Sequence, residues 1–189
     1  MRIHYEGPAR RVKPDGSRRG GPAGDRLRPA AWCTVVTMVD LYAELRRIVE
    51  GLDAASVPYA VIGGLAVSIY TTPRATEDVD LLVARADLDL AMTALRALGF
   101  QPAGAPMAVA GGRIAIQRMI RIDGADLFPL DLVMPIDPAL VHLLADRTRA
   151  PWEGRELWIV GLRGLRVLKA LRGSAQDRAD LESLGPDTP

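Results

Sequence analysis

The sequence predicts an α+β domain in which a mixed β-sheet is flanked by helices and followed by C-terminal helices. Segments whose apolar residues recur with helical spacing alternate with short apolar runs typical of buried strands. Two of the strand-like runs are separated only by Gly111–Gly112, which indicates a β-hairpin. Helices, strands and a hairpin in one short chain favour a mixed sheet.

The first half of the ordered region begins with a helix that Asp40 can cap, over residues 41–51. One face of this helix is apolar and should enter the core, because its members follow the helical period: Leu41, Leu45, Ile48, Val49 and Leu52. Four elements are predicted next: a buried strand at 59–62, a tight turn at Gly63–Gly64, a short helix at 65–71 and a strand at 78–84.

The second half begins at Asp87 with another amphipathic helix, which Gly99 ends. The elements predicted after it are a hairpin of strands 107–110 and 113–122, a strand at 130–134, a helix opened by Pro138 and reaching about 147, a strand at 157–160, and helices near 162–172 and 176–184.

Residues 1–37 are expected to form a basic extension that precedes a domain spanning residues 38–186. The first 30 residues contain seven Arg and one Lys, many Gly and Pro, and almost no apolar periodicity. This composition favours a solvated tail, or translated sequence upstream of a start at Met38, over a basic arm for RNA.

Composition excludes several classes of protein. The net charge of +1 argues against a chain that binds polyanions over its whole surface. The single cysteine, Cys33, excludes an internal disulfide framework and fits a cytoplasmic location. No apolar run is long enough for a membrane span, so no membrane partner is expected. Neither His4 nor His142 has a partner at zinc-ligand spacing.

Two carboxylates stand two residues apart on the strand predicted at 78–84. Asp78 and Asp80 therefore point to the same face of the sheet, while Val79, Leu81 and Val83 point to the other. Two neighbouring anions repel each other, and a divalent cation such as Mg²⁺ would remove the conflict. An isolated Asp-x-Asp pair is also typical of a solvated strand end, so the pair alone leaves both interpretations open.

A third acid, Asp131, lies within the apolar run 130–134, where an unpaired carboxylate would be costly. If this strand lies beside 78–84, Asp131 completes a cluster of three carboxylates. The nearby Asp123 and Asp126 belong to a glycine-containing turn, and Asp137 precedes Pro138 as a cap or turn residue.

Gly63 and Gly64 follow a buried strand and precede a helix, an arrangement that suits phosphate binding by free N–H groups but equally a simple tight turn. Arg74 could neutralise phosphate charge or pair with Asp78 or Asp80. Thr76 could offer its hydroxyl to metal or phosphates, or only shape the turn.

Two charged residues near the C-terminus are further candidates. Lys169 lies within an apolar helix, where it could reach a triphosphate or extend to solvent. Asp177 lies at the start of the next helix, where an acid also stabilises the helix dipole. Position alone favours structural roles for both residues.

Taken in order, these motifs resemble the AbiEii-like nucleotidyltransferases and their relatives in the DNA polymerase β-like superfamily. The resemblance covers about residues 40–184 and rests on these features: Gly-Gly at 63–64, RATEDVD at 74–80, Asp131, Lys169 and QDRAD at 176–180. It implies the nucleotidyltransferase fold, a triphosphate held at Gly63–Gly64, and metal bound by Asp78, Asp80 and Asp131. It also implies that Lys169 and Asp177 belong to the active site. Gly64 departs from the pattern, since many members have Ser there.

The resemblance implies a Mg²⁺-dependent enzyme that transfers a nucleoside monophosphate from an NTP to an acceptor and releases pyrophosphate, with Asp131 helping to deprotonate the acceptor. The leading hypothesis is an RNA or tRNA acceptor and a role in toxin–antitoxin or defence systems, with a cognate antitoxin or toxin as protein partner. The alternatives are an antibiotic nucleotidyltransferase and a non-catalytic module that binds nucleotide or a partner protein.

Overall fold

A computed structural model of the chain describes residues 40–72, 76 and 78–186. The N-terminal extension predicted at 1–37 and the candidate phosphate ligand Arg74 lie outside these residues, so both stay predictions. Within the described residues the elements, in chain order, are α1 (Leu41–Ala54), β1 (Tyr59–Val61), α2 (Gly63–Tyr70), β2 (Val79–Val83), α3 (Leu88–Ala97), β3 (Gln101–Pro102), β4 (Met107–Val109), β5 (Ile114–Asp123), β6 (Asp126–Pro135), α4 (His142–Ala145), β7 (Thr148–Trp152), β8 (Arg155–Ile159), α5 (Leu162–Arg172) and α6 (Ala175–Ser183).

The strands form one sheet in the order β3-β5-β6-β2-β1-β8-β7, with β4 paired to β5. Strand β2 runs parallel to β6, and β1 runs parallel to β8, while the other pairs are antiparallel. The predicted α+β class with a mixed sheet is therefore confirmed.

Helix α1 forms as its sequence predicts. The Asp40 carboxylate accepts hydrogen bonds from the backbone N–H groups of Tyr42 and Ala43, which caps the first turn. The apolar stripe of the helix is buried at Leu45, Ile48, Val49 and Leu52. Burial of this stripe, rather than helix propensity alone, fixes the helix against the sheet.

The two faces of the sheet carry separate hydrophobic clusters. Val79, Leu81 and Val83 of β2 pack with α1 and α3 on one face, as the alternation predicts. Leu82, of the opposite parity, packs with residues of α2, α4 and α5, including Leu165. Residues of β2 with the parity of Leu82 therefore face α5.

Three elements differ from the sequence-based expectation. Instead of one helix over 138–147, the chain forms a 3-10 turn at Pro138–Leu140 and the single-turn α4, which ends at Ala145. The hairpin β7–β8 was not predicted, and β7 contains Pro151, a residue that is unfavourable inside a sheet. Strand β7 lies at the edge of the sheet, where proline is tolerated. The two-residue strand β3 was also missed.

None of the helices in 40–72 and 78–186 combines the length and apolar composition that crossing a bilayer requires.

Candidate active site

Asp80 and Asp131 occupy matching positions on neighbouring parallel strands. Their Cα atoms are register partners between β2 and β6, and both residues are buried. Asp80 has the parity of Leu82, and Asp131 has the parity of Val133, so both carboxylates lie on the face covered by α5. The condition on which the sequence-based cluster depended, that strand 130–134 lies beside 78–84, is met.

Gly63 lies directly against the Asp80 carboxylate. Its φ angle is +66°, and a Cβ atom built on it would lie 1.9 Å from Asp80 Oδ2. The neighbouring Ile62 N–H donates to the Asp80 carbonyl at 3.0 Å, which ties the end of β1 to β2. Only glycine satisfies both the backbone angle and the lack of space. Helix α2 begins at this residue and has no side-chain cap, so the N–H groups of its first turn keep no side-chain acceptor.

Three other predicted residues surround this turn. Gly64 is the second residue of α2, and its carbonyl accepts a hydrogen bond from Ser68 Oγ at 3.1 Å. Asp78 immediately precedes β2 and accepts a hydrogen bond from Thr76 Oγ1 at 3.1 Å. This contact lies at the approach to β2, and a role of the Thr76 hydroxyl toward metal or phosphates stays a prediction.

Burial raises the pKa of Asp80 to about 7, and the neighbouring carboxylates of Asp78 and Asp131 add to the shift. Lys169 and Arg172 act in the opposite direction without outweighing it. The pKa shows that a negative charge on Asp80 is poorly compensated by the protein alone. A proton or a cation at this position would relieve the conflict.

Asp131, in contrast, is held by a guanidinium. Arg118 Nε donates to Asp131 Oδ1 at 2.8 Å, and Arg118 Nη2 donates to Oδ2 at 2.7 Å. The two residues are register partners across β5 and β6. Their hydrogen bond is the first cause of a raised pKa for Arg118. Sequence reasoning missed Arg118, and the full register of the β5–β6 hairpin would have been needed to find it.

Lys169 and Asp177 do come close to the strand carboxylates, but each is engaged in ion pairs. Lys169 Nζ lies 2.7 Å from Asp180 Oδ2 and 3.1 Å from Asp177 Oδ1. Arg172 donates to both oxygens of Asp177 at 2.6 and 2.7 Å. Asp177 also forms a capping box with Ser174 at the start of α6.

These contacts explain the acidity of Asp177. Burial by itself would raise the pKa of this carboxyl, but hydrogen bonds from Arg172, Ser174 and Lys169 outweigh it and hold the pKa far below its usual range. Asp177 is therefore a fully partnered anion, and its structural role as a helix cap, which the sequence also allowed, is present. Arg172 and Asp180 were not among the predicted site residues. Both join the site through ion pairs between α5 and α6.

A cavity of about 230 Å³ opens between β2, β6 and α5. Five of the predicted residues line it, together with Arg172: Gly63, Asp80, Asp131, Lys169 and Asp177. Its other walls are apolar: Ile62, Val109, Ala110, Ile114, Ile116, Val133, Leu165, Leu168 and Leu171. Asp78, Gly64 and Thr76 are adjacent in sequence but do not line it.

Asp78, Asp80 and Asp131 offer carboxylate oxygens, which are the ligands that Mg²⁺ prefers. As arranged, however, the described part of the chain contains no group of three or more His, Cys, Asp or Glu side chains placed to hold a metal ion. The Arg118 guanidinium donates to both oxygens of Asp131, so a cation bound there would either share this carboxylate with the guanidinium or replace it.

Comparison with solved structures shows that this fold is the nucleotidyltransferase fold. The antibiotic-resistance factor ANT(2'')-Ia matches with a TM-score of 0.55 at 10% identity, over 76% of this chain and 81% of that one. TM1012 of Thermotoga maritima, assigned as a nucleotidyltransferase, matches with a TM-score of 0.53 at 15% identity, over 74% and 89%. The lincosamide antibiotic adenylyltransferase LnuA, solved with lincomycin, matches with a TM-score of 0.50 at 13% identity, over 77% and 97%.

No family model matches the sequence, and no curated protein matches it. The fold predicted from the resemblance is thus confirmed, whereas membership of the AbiEii-like group stays a prediction.

Proposed function

We propose that the protein is a divalent-metal-dependent nucleotidyltransferase, which moves a nucleoside monophosphate from an NTP to an acceptor and releases pyrophosphate. One observation carries the proposal: Asp80 and Asp131 are register partners on parallel strands, and Gly63, at the N-terminus of α2, lies against the Asp80 carboxylate. Arg118 pairs with Asp131, but burial and the neighbouring acids still raise the pKa of Asp80 to about 7, so the two carboxylates on one wall of a cavity favour a site for a positively charged ligand.

The residues divide into two groups around the reacting phosphates. The turn at Gly63–Gly64 and the uncapped N–H groups of α2 favour the triphosphate. Asp80 and Asp131, with Asp78 beside them, would hold Mg²⁺. When bound, the ion would neutralise phosphate charge and favour ionisation of the acceptor hydroxyl. Asp131 is proposed to help deprotonate the acceptor, with the Arg118 guanidinium paired to it in the described structure.

The C-terminal residues have a supporting role in this proposal. Lys169 and Arg172 line the cavity and bring positive charge near Asp80, while Asp177 and Asp180 fix their positions. Lys169 therefore faces the site as a positioned cation and Asp177 as the anion that positions it. Arg74 and Thr76 are retained as proposed contacts to the phosphates.

Two classes of acceptor are proposed. The first is an RNA or tRNA hydroxyl, in a toxin–antitoxin or defence setting with a cognate protein partner, as the sequence resemblance implies. The second is a small molecule such as an antibiotic. Structural neighbours such as ANT(2'')-Ia and LnuA, whose names tie them to antibiotics, support the second class.

The experiment uses the full chain with each α-labelled NTP and Mg²⁺, in parallel with total RNA, purified tRNA, an aminoglycoside panel and a lincosamide panel. We expect label on one acceptor class, and none when EDTA replaces Mg²⁺. Label on RNA selects the first class, and label on a small molecule selects the second. Nucleotide binding without transfer to any acceptor would contradict the enzymatic proposal and favour a binding module.

A further inference from the structure

We propose that Arg118 is a positioning residue that withholds Asp131 from a divalent cation until the guanidinium is displaced. The inference rests on the proposed function, because it concerns the cation site of that function. The pair formed by Arg118 and Asp131 is called the β5–β6 latch below.

The latch is a bidentate contact, and the pairing of β5 with β6 places its two side chains beside each other. Because the two residues are register partners on antiparallel strands, the guanidinium needs no backbone movement to reach the carboxylate. Its Nε and Nη2 atoms take one carboxylate oxygen each, at 2.8 and 2.7 Å. A planar guanidinium matches a carboxylate in this way, whereas a lysine would contact it as a single point charge.

The two side chains of the latch differ in solvent exposure. The Asp131 side chain is 9% exposed and fixed in the cavity wall, whereas the Arg118 side chain is 47% exposed. Displacing the latch therefore moves only the arginine, which passes into solvent. Because the arginine is half-exposed, it can leave Asp131 for solvent when a divalent cation takes its place.

The consequence is a competition for one carboxylate. A cation between Asp80 and Asp131 would lie beside the Arg118 guanidinium, which donates to both Asp131 oxygens and whose positive charge opposes the cation. The apparent affinity for the cation is reduced by the fraction of molecules in which the latch is closed. After displacement, Arg118 stays at the rim of the site, where a guanidinium is suited to an arriving phosphate group.

The test measures Mn²⁺ binding by the electron paramagnetic resonance signal of free Mn²⁺, at fixed ionic strength and without nucleotide. The variants are Arg118→Gln, Arg118→Lys and Asp131→Asn. The matched control is Arg113→Gln: its side chain is 45% exposed and pairs with Asp137 through a 2.6 Å contact, outside the cavity. Circular dichroism confirms that each variant is folded.

We expect Arg118→Gln to bind Mn²⁺ at least about fivefold more tightly than the wild type does. Arg118→Lys should fall between the two, Arg113→Gln should match the wild type, and Asp131→Asn should bind more weakly. Arg118→Gln in the Asp131→Asn background should then bring no gain.

Equal or weaker Mn²⁺ binding by Arg118→Gln would overturn the latch alone, even if the wild type transfers nucleotide. A failure of every variant to bind Mn²⁺ would overturn the latch and also the cation site of the proposed function. Weak binding by the wild type with clear binding by Arg118→Gln would support both.

Discussion

The Asp80 carboxylate lies over Gly63, at the point where β1 turns into α2. A Cβ atom at position 63 would fall 1.9 Å from Asp80 Oδ2, far inside van der Waals contact, and the φ angle of +66° already disfavours any other residue. The glycine and the acid are therefore one structural unit: the glycine provides the space in which the carboxylate is held.

The first prediction concerns this unit. Gly63→Ala should destabilise the protein by about 2–4 kcal/mol, since the strained backbone and the steric overlap add. It should also displace Asp80 and lower nucleotide binding. The free energy of unfolding from urea titration and NTP binding by calorimetry measure the two effects.

Gly124→Ala is the matched control for backbone strain. Gly124 has a φ of +61°, and nothing lies within 4 Å of its would-be Cβ. This variant should cost about 1 kcal/mol and leave NTP binding unchanged. If the two variants lose equal stability and both bind NTP normally, the contact with Asp80 is not important.

The second prediction concerns pH. Burial and two neighbouring acids raise the pKa of Asp80 from 3.8 to about 7, so between these values the folded state binds more protons than the unfolded state. The free energy of unfolding should therefore fall as the pH rises through this window, by on the order of 4 kcal/mol from this group. The measurement is urea unfolding in EDTA at several pH values.

Asp80→Asn removes the titrating group and supplies the test. Its stability should equal that of the wild type near pH 4 and exceed it increasingly up to about pH 7, with no further gain above. Asp146→Asn, at an exposed position, should follow the wild type throughout. A constant difference between Asp80→Asn and the wild type across the range would contradict the raised pKa.

The third prediction concerns the ion pairs of the C-terminal helices. Asp177→Asn should destabilise the protein by about 3–5 kcal/mol. The substitution removes the carboxylate that pairs with buried Lys169 and with the Arg172 guanidinium, and it weakens the capping box with Ser174. The stabilising effect of Asp177 should disappear in acid, as the pH falls through its lowered pKa. Urea unfolding at neutral pH measures the main effect.

Asp146→Asn again serves as the comparison and should change stability by less than about 0.5 kcal/mol. A loss of transfer activity in folded Asp177→Asn without a loss of stability would show instead that Asp177 acts in catalysis, as the sequence resemblance implies.

Much of this architecture could be read from local patterns. The Asp40 cap, the stripe of α1 and the shared face of Val79, Leu81 and Val83 each depend on neighbours within one element, so periodicity and capping rules suffice. The pairing of Asp80 with Asp131 needed one assumption, that β2 lies beside β6, and the sheet order meets it.

The residues that sequence reasoning missed depend on contacts between elements. Arg118 reaches Asp131 through the register of β5 and β6, and Asp180 reaches Lys169 through the packing of α5 against α6. Neither relation leaves a local pattern. Strand β7 was missed as well; it contains Pro151, which the edge position of the strand makes acceptable.

The central claim is that Asp80 and Asp131 carry out nucleotidyl transfer together. Its most direct test is the rate of Mg²⁺-dependent transfer of α-labelled nucleotide to whichever acceptor the transfer assay identifies. The variants compared are Asp80→Asn, Asp131→Asn and the control Asp137→Asn. Asp137 is an acid that caps the turn at Pro138–Leu140 and does not line the cavity.

We predict that the first two folded variants lose at least about 100-fold in rate, since each removes charge from the proposed metal site, while Asp137→Asn retains the wild-type rate. Transfer at the wild-type rate by either Asp80→Asn or Asp131→Asn would contradict the account.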